Sequence, residues 1–342
     1  MQQRLDDQPR ARPRRRTSVR LGLMLAAVVA VVGAAGVITA ADRQVENVDR
    51  IENLDDILVA VDGPAVNYLL IGSDTREGVD GSDETGTVGS ETDVTGRRSD
   101  TIMILRQEED GDGAAILSLN RDIWVTMADT GQQDRINAAY NRGADVLAAT
   151  ITENFGIPIN HVVDVDFTGF KQIVDTIGGT TICFEYQTRD VKSGLDQPPG
   201  CNNLTGDQAL AYARSRTYQE LRDGEWQTDG SADIGRVKRQ QQFIATTVNE
   251  TLSKLQADPF LASDLINATS GSLRLDPNLD PLAAAGTLRK AFGTGLTTYT
   301  LPVDGATIDG KSVLIVREGP ETDEILNYFR GVGALPTTVP PG

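Results

Sequence analysis

The sequence predicts an α/β fold: a mixed central β-sheet covered by helices (α-β-α), preceded by one transmembrane helix. Three observations predict it. Compact apolar runs rich in β-branched residues alternate with stretches of helical periodicity. Two successive strands are joined through a Gly-bearing turn, so at least one pair is antiparallel. Residues 21–41 carry no charge between Arg20 and Asp42, which at about 1.5 Å per residue spans a bilayer core of about 30 Å.

The 342 residues suffice for one large domain or two ordinary ones with a sizeable core. The formal charge is -17, yet residues 1–20 hold seven Arg and only two Asp, so the acidity lies beyond Arg20. Aromatic residues are sparse and no region is basic with interleaved aromatics, which excludes nucleic acid as a partner. The basic flank Arg10–Arg16 keeps the N-terminus cytoplasmic under the positive-inside rule. Residues 1–20 are then a cytoplasmic tail and 21–41 a retained anchor. Residues 42–62 form a short helical stalk, and the rest lies outside the cytoplasmic membrane. A cleaved signal peptide is the alternative: its apolar region is usually only about 7–15 residues long, but Ala35, Ala40 and Ala41 could satisfy a cleavage site. Cys183 and Cys201 flank a polar segment with Gly194, Pro198, Pro199 and Gly200. In an oxidising compartment they read as one disulfide closing a loop; two reduced, buried cysteines are the other reading.

In chain order, Val66–Gly72 is an apolar central strand ending in Ser73-Asp74-Thr75-Arg76. Residues 77–96 are a Gly/Ser/Thr/Asp/Glu segment, a surface loop or insertion. Arg97-Arg98-Ser99-Asp100 runs into the strand Thr101–Arg106, and a turn through Gly111 and Gly113 leads to the strand Ala114–Leu119, which ends in Asn120-Arg121-Asp122. Arg135–Tyr140 and a helix to about Asn154 come next, then the strand Val162–Val165, a helix Thr168–Ile177 stopped by Gly178-Gly179, and the strand Thr180–Glu185. Helices are expected near 206–214, 234–255 and 281–292, and late strands at Thr297–Val303 and Val313–Arg317. Residues 63–255 form the catalytic domain, 256–335 a C-terminal α/β extension of it, and the Pro-rich 336–342 a disordered tail.

Two signals are decoys. Gly305-Ala-Thr-Ile-Asp-Gly310-Lys311-Ser312 fits the phosphate-loop pattern, but that loop needs a helix behind it. Here the β-branched Val313-Leu-Ile-Val316 follows, so a hairpin turn is expected. His161 is the single histidine, so a His-rich zinc site is excluded, and it reads as structural.

The chemistry lies in carboxylates and arginines at strand ends, where ligands of α/β sheets gather. The pairs are Asp74 and Arg76, Arg98 and Asp100, and Arg121 and Asp122. Two carboxylates with phosphate oxygens suit Mg²⁺ (or Mn²⁺); taken singly, each pair could also be a local salt bridge. A second cluster runs from Arg214-Ser-Arg216 to Asp233-Ile-Gly-Arg236-Val-Lys-Arg239-Gln240. Arginine presents a planar fork of donors suited to phosphate and stays charged. On a helix Arg236, Arg239 and Gln240 share one face within about 100° of arc. The apolar stripe Val237, Ile244, Val248, Leu252 and Leu255 lies about 120° round, which sets the arginines at the rim of the buried face. Arg214 and Arg216 would diverge by about 200° on a continuous helix, so the helix must end or distort near Arg214 if both serve one ligand.

Taken together, Gly72–Arg76, Arg98–Thr101, Leu119–Asp122, Arg135–Tyr140, Val165–Phe170, Asp175–Gly179, Leu204–Arg216 and Asp233–Gln241 resemble the LytR-CpsA-Psr family of cell-wall glycopolymer ligases, of actinobacterial type. The resemblance covers about residues 66–255. It departs at Arg135, where the family often has Lys, and in the enlarged acidic loop 77–96. It implies a membrane-anchored phosphotransferase that moves a glycopolymer from a polyprenyl-pyrophosphate carrier to peptidoglycan, at the muramic acid 6-hydroxyl. Asp74 and Asp100 would hold Mg²⁺. Arg76, Arg98, Arg121, Arg214, Arg216, Arg236, Arg239 and Gln240 would hold the pyrophosphate, with the prenyl chain in an apolar tunnel between sheet and helices. Such chemistry needs charge neutralisation and positioning more than a covalent nucleophile. A sugar hydroxyl still needs a proton acceptor, for which Asp122 is the candidate. A polyprenyl-pyrophosphate pyrophosphatase and a noncatalytic regulator that binds lipid-linked intermediates are the competing readings.

Overall fold

The computed structural model describes residues 48–61, 63, 65–73, 99–108, 113–229, 239, 242–243, 246–247, 250–251, 254, 258, 261–269, 271–279 and 296–337. The chain opens with β1 (Asp49–Arg50), β2 (Val66–Ser73), β3 (Ser99–Gln107), β4 (Ala114–Leu119), β5 (Trp124–Thr126) and β6 (Gln133–Arg135). Next come α1 (Asn137–Tyr140), α2 (Ala144–Phe155), β7 (His161–Asp166), α3 (Phe167–Thr176) and β8 (Thr180–Phe184). They lead to β9 (Thr188–Asp190), β10 (Leu195–Gln197), β11 (Gly200–Leu204), α4 (Gly206–Arg214), β12 (Gln219–Arg222) and β13 (Glu225–Thr228). The last part holds α5 (Leu261–Thr269), β14 (Leu273–Leu275), β15 (Leu296–Thr300), β16 (Val303–Ile308), β17 (Lys311–Val316) and α6 (Pro320–Phe329). The described residues from 239 to 254 are also helical.

A seven-stranded sheet in the order β1-β14-β7-β2-β3-β4-β15 carries the fold. It is mixed: β2 is parallel to β7 and antiparallel to β3, β3 is antiparallel to β4, and β4 is parallel to β15. Strands buried on both faces read as continuous apolar runs, and period two then sorts their side chains. Tyr68, Leu70, Met103, Leu105, Ile116, Val163 and Val165 point to one core, with Phe170 and Ile173 of α3, Leu210 of α4, Phe243 and Leu265 of α5. Leu69, Ile71, Ile102, Ile104, Leu117 and Val162 point to the other, with Leu147 and Ile151 of α2 and Ile325 and Phe329 of α6. The mixed α/β sheet is therefore as expected, and helices cover both of its faces.

The helix starts follow local chemistry. Asp166 accepts from Gly169 N at 2.8 Å and caps α3, while Thr205 and Gln208 close a capping box on α4. Asp175 of α3 accepts from Gly206 N at 2.7 Å, and a Cβ at Gly206 would lie 2.5 Å from the Lys171 carbonyl. Only glycine lets α4 begin so close to α3.

Several expectations are corrected. Residues 48–61 form no helical stalk: β1 joins the sheet edge parallel to β14, and Leu54 is fully buried in the core. Pro336 is buried, its carbonyl accepts from Tyr299 Oη at 3.0 Å, and Thr337 N donates to Glu324, so the tail is held at least to residue 337. The late strand expected over 297–303 stops at Thr300, because Pro302 cannot donate to a ladder. The strand expected over Thr180–Glu185 is present as β8, but its partner β11 and the small sheet β10-β9-β12-β13 had no clear period in the sequence. Among the described residues no helix is long and apolar enough to cross a membrane. The expected anchor 21–41, the loop 77–96 and the helix near 281–292 lie outside the described residues.

Candidate active site

Four strand ends meet at one edge of the sheet. Because β3 opposes both β2 and β4, the strands β2, β4 and β7 all run the same way. Ser73 at the end of β2 is paired with Asp166 at the end of β7 and with Ser99 at the start of β3. Leu119 at the end of β4 pairs with Ile102.

Asp74 follows Ser73 directly. It lies outside the described residues, as do Arg76, Arg98, Arg236 and Gln240. Asp100 is described through its backbone, and that backbone is informative. The register shifts between Gly72 and Ser73, whose partners are Thr101 and Ser99, so Asp100 is the extra residue of a bulge. Bulges re-aim a side chain and are favoured beside active sites. Asp100 is thus the bulged residue at the start of β3, opposite the end of β2, and carboxylates of this kind are the hard oxygen donors that Mg²⁺ or Mn²⁺ would require.

A buried network anchors the residue before Asp74. Ser73 is fully buried and hydrogen-bonds the Tyr140 hydroxyl. That hydroxyl donates to Asp164 Oδ2 at 2.6 Å, and Arg274 of β14 donates to both partners. Burial first, and the Asp164 carboxylate second, push the Tyr140 phenol above its ordinary range, so it stays a donor. Asp164 and Arg274 were missed at the sequence level. A carboxylate inside the apolar run Val162-Val-Asp-Val165 was the available signal, since a buried charge needs partners.

At the end of β4, Asp122 faces two guanidinium groups, with Arg121 Nε at 3.5 Å and Arg135 Nη1 at 3.4 Å. Asn120 Oδ1 accepts from Asp122 N at 3.0 Å and fixes the turn. Arg121 and Asp122 form a local ion pair, which was the alternative reading of that pair, and Arg135 joins them.

The break expected near Arg214 is present. Helix α4 ends at Arg214, and Ser215 is extended at φ -60° and ψ 125°. The Arg214 guanidinium lies 4.8 Å over the ring of Phe167, the residue that follows β7, so Arg214 reaches the strand ends. Arg216 is anchored through its backbone by Asp190. One Asp190 oxygen accepts from Ser215 Oγ at 2.7 Å, Arg216 N at 2.9 Å and Thr217 N at 2.7 Å; the other accepts from Thr217 Oγ1 at 2.7 Å. Burial alone would raise the Asp190 pKa, but these hydrogen bonds from Ser215 and Thr217 outweigh it and hold the carboxyl at about 2. No sequence motif pointed to Asp190.

Arg239 does not sit at a rim. It is 7% exposed and shares its helix face with the buried Phe243, Thr247 and Thr251. Its Nη1 donates to Asp229 Oδ2 at 3.0 Å, its Nη2 to the Ser215 carbonyl at 2.8 Å, and its guanidinium stacks 4.5 Å from Tyr218. One N–H of each terminal nitrogen is thus directed at protein, and the rim position expected for Arg239 is corrected to a buried one.

The decoys resolve as expected. Residues 303–316 form a hairpin whose two-residue turn, Asp309 at φ 50° and Gly310 at φ 74°, has the primed geometry of tight hairpins. His161 stacks on Tyr68 at 5.3 Å and meets Asp276 Oδ2 at 3.1 Å, a structural pairing. Cys183 and Cys201 are cross-strand neighbours joined by a disulfide.

Comparison with known proteins identifies the family. The profile of the LytR_cpsA_psr family matches residues 32–329. The chain belongs to the LytR_cpsA_psr family. Among curated members, cell wall biosynthesis protein LcpA of Corynebacterium glutamicum is 28% identical over 291 residues, 75% of this chain and 54% of that one. The polyisoprenyl-teichoic acid–peptidoglycan teichoic acid transferase TagU of Enterococcus faecalis is 31% identical over 229 residues, 66% of this chain and 67% of that one. A solved LytR-Csp2A-Psr enzyme from Actinomyces oris shares the fold, with TM-score 0.59 and 24% identity over 80% of this chain and 95% of that one. The chain spans about half the length of the corynebacterial relatives it matches. In this LytR_cpsA_psr chain the strand ends, the bulge at Asp100 and the break after Arg214 are the described features of the candidate site.

Proposed function

We propose that this LytR_cpsA_psr protein is a membrane-anchored phosphotransferase. It moves a glycopolymer from a polyprenyl-pyrophosphate carrier onto peptidoglycan, at the muramic acid 6-hydroxyl, outside the cytoplasmic membrane. The observation that carries this reading is the meeting of the β2, β3, β4 and β7 ends, with Arg214 stacked on Phe167 beside the end of β7. Family membership and the transferase named among its relatives support it. Residues 21–41 would anchor the chain, with the basic N-terminal tail cytoplasmic.

Asp74 and Asp100 would hold Mg²⁺ or Mn²⁺, which supplies charge neutralisation on the pyrophosphate. Arg76, Arg98, Arg121, Arg214, Arg216, Arg236 and Gln240 orient and neutralise the same group. Positioned cations of this kind carry most of the catalysis when phosphoryl groups are transferred. The acceptor hydroxyl loses its proton to Asp122, which Arg121 and Arg135 hold in place.

The test supplies a lipid-linked glycopolymer with and without peptidoglycan oligomers. Mg²⁺-dependent coupling that requires the acceptor is the expected result. Release of lipid phosphate without acceptor would instead assign a pyrophosphatase, and tight binding without turnover a regulator. Asp122→Asn separates two roles. As proton acceptor its loss lowers kcat by about 10²–10⁴-fold with little change in KM. A rise in KM at unchanged kcat would reduce Asp122 to a partner of the arginines.

A further inference from the structure

Arg214 and Arg216 can act on one ligand only if the chain stops being helical between them. On α4 continued by two residues they would point about 200° apart, whereas residues i and i+2 of an extended chain share a side. Ser215 supplies the extended conformation. The sequence Arg-Ser-Arg has no intrinsic reason to break there, since neither Gly nor Pro follows. Something outside the helix must stabilise the break.

Two groups do so from opposite sides. The orphaned N–H groups of Arg216 and Thr217, which a continuing helix would satisfy internally, go to the Asp190 carboxylate, together with the hydroxyls of Ser215 and Thr217. The Ser215 carbonyl goes to Arg239. Asp190 is fully buried and also takes the Lys192 N–H at 2.9 Å. It arrives on β9, inside the excursion that the Cys183–Cys201 disulfide closes.

We propose that Asp190 is a positioning residue for the Arg214–Arg216 pair, fixing the bend that lets both guanidinium groups serve one anionic ligand, with Arg239 as its counterpart on the Ser215 carbonyl. The proposal rests on the reading of Arg214 and Arg216 as pyrophosphate ligands. Asp190→Asn keeps the shape but replaces one acceptor oxygen by a donor, which opposes the Arg216 and Thr217 N–H groups in one orientation and the Lys192 N–H in the other.

The test measures binding of geranylgeranyl pyrophosphate to the full chain in detergent. Asp190→Asn is expected to weaken binding about tenfold, and Arg216→Ala at least as much. Added to Arg216→Ala, Asp190→Asn is expected to cost less than about threefold more, because most of its effect passes through Arg216. Asp190→Glu, which retains a carboxylate, is expected to recover part of the loss. If Asp190→Asn does not fold, Thr217→Val removes one donor to the carboxylate and enters the same cycle, with an expected loss of about threefold. Full affinity in Asp190→Asn (or Thr217→Val) beside loss in Arg216→Ala would overturn the proposal and leave the functional reading standing. So would losses that multiply in full, since they would mark a merely structural residue. Unchanged affinity in both Arg214→Ala and Arg216→Ala would instead overturn the reading of the arginines as ligands.

Discussion

Replacing Arg216 by alanine is expected to lower kcat/KM for glycopolymer transfer by about 10²–10³-fold, the loss typical of removing one preorganised group from a developing charge. The argument runs through the backbone. Ser215 is extended, Arg216 N is tied to Asp190, and Arg239 holds the Ser215 carbonyl, so the side chain at position 216 leaves a fixed point. A fixed cation needs no reorganisation as charge moves on the pyrophosphate. Arg216→Lys is expected to recover only part of the loss, because an ammonium cannot reproduce a planar fork of donors. Arg189 provides the control. It neighbours Asp190 on β9 but faces the other way, with its guanidinium 3.9 Å over Trp226 and Nε bonded to Gln219. Arg189→Ala should leave transfer within about threefold, as surface substitutions usually do. Transfer from a lipid-linked donor, measured for all three variants, decides it: Arg216→Ala at near wild-type rate would remove Arg216 from the site.

The central strands and their covering helices were legible because burial on both faces writes itself as apolar runs, and β4 and α4 fall where the pattern sets them. The break after Arg214 was legible for another reason, namely that two arginines serving one ligand are incompatible with continuous helical geometry. What could not be read were interactions between segments far apart in sequence. Asp190 lies 26 residues from Arg216 and is identified only by the bond it makes. Arg274 meets Asp164 from 110 residues away. Arg239 shows how periodicity can mislead: its helix buries a face with Phe243, Thr247 and Thr251, and threonine does not register in an apolar stripe. Residues 48–61 misled similarly. Their mixed acidic and apolar pattern looked helical, but Leu54 and β1 are captured by a sheet edge that forms only when β14 arrives from the far end of the chain.

Replacing both cysteines, Cys183→Ser with Cys201→Ser, is expected to lower stability by about 3 kcal/mol, since a link spanning 18 residues removes that much loop entropy from the unfolded chain. For a domain of this size that corresponds to a melting temperature about 6–12 °C lower. The strands of the excursion between them are short: β9 and β10 are three residues each, and β9 meets β12 through two pairs. Leu195 is buried in the core, and Asp190 is buried against the Arg214–Thr217 bend. Loosening the base of the excursion therefore also loosens the bend, and the same variant should bind polyprenyl pyrophosphate more weakly while the seven-stranded sheet stays folded. Thermal unfolding and binding titrations on one preparation test both effects, and replacing both residues avoids a free thiol. An unchanged melting temperature, or two reactive thiols in the native protein by labelling and intact mass, would show that the pair is not bonded and that the excursion holds its place by packing alone.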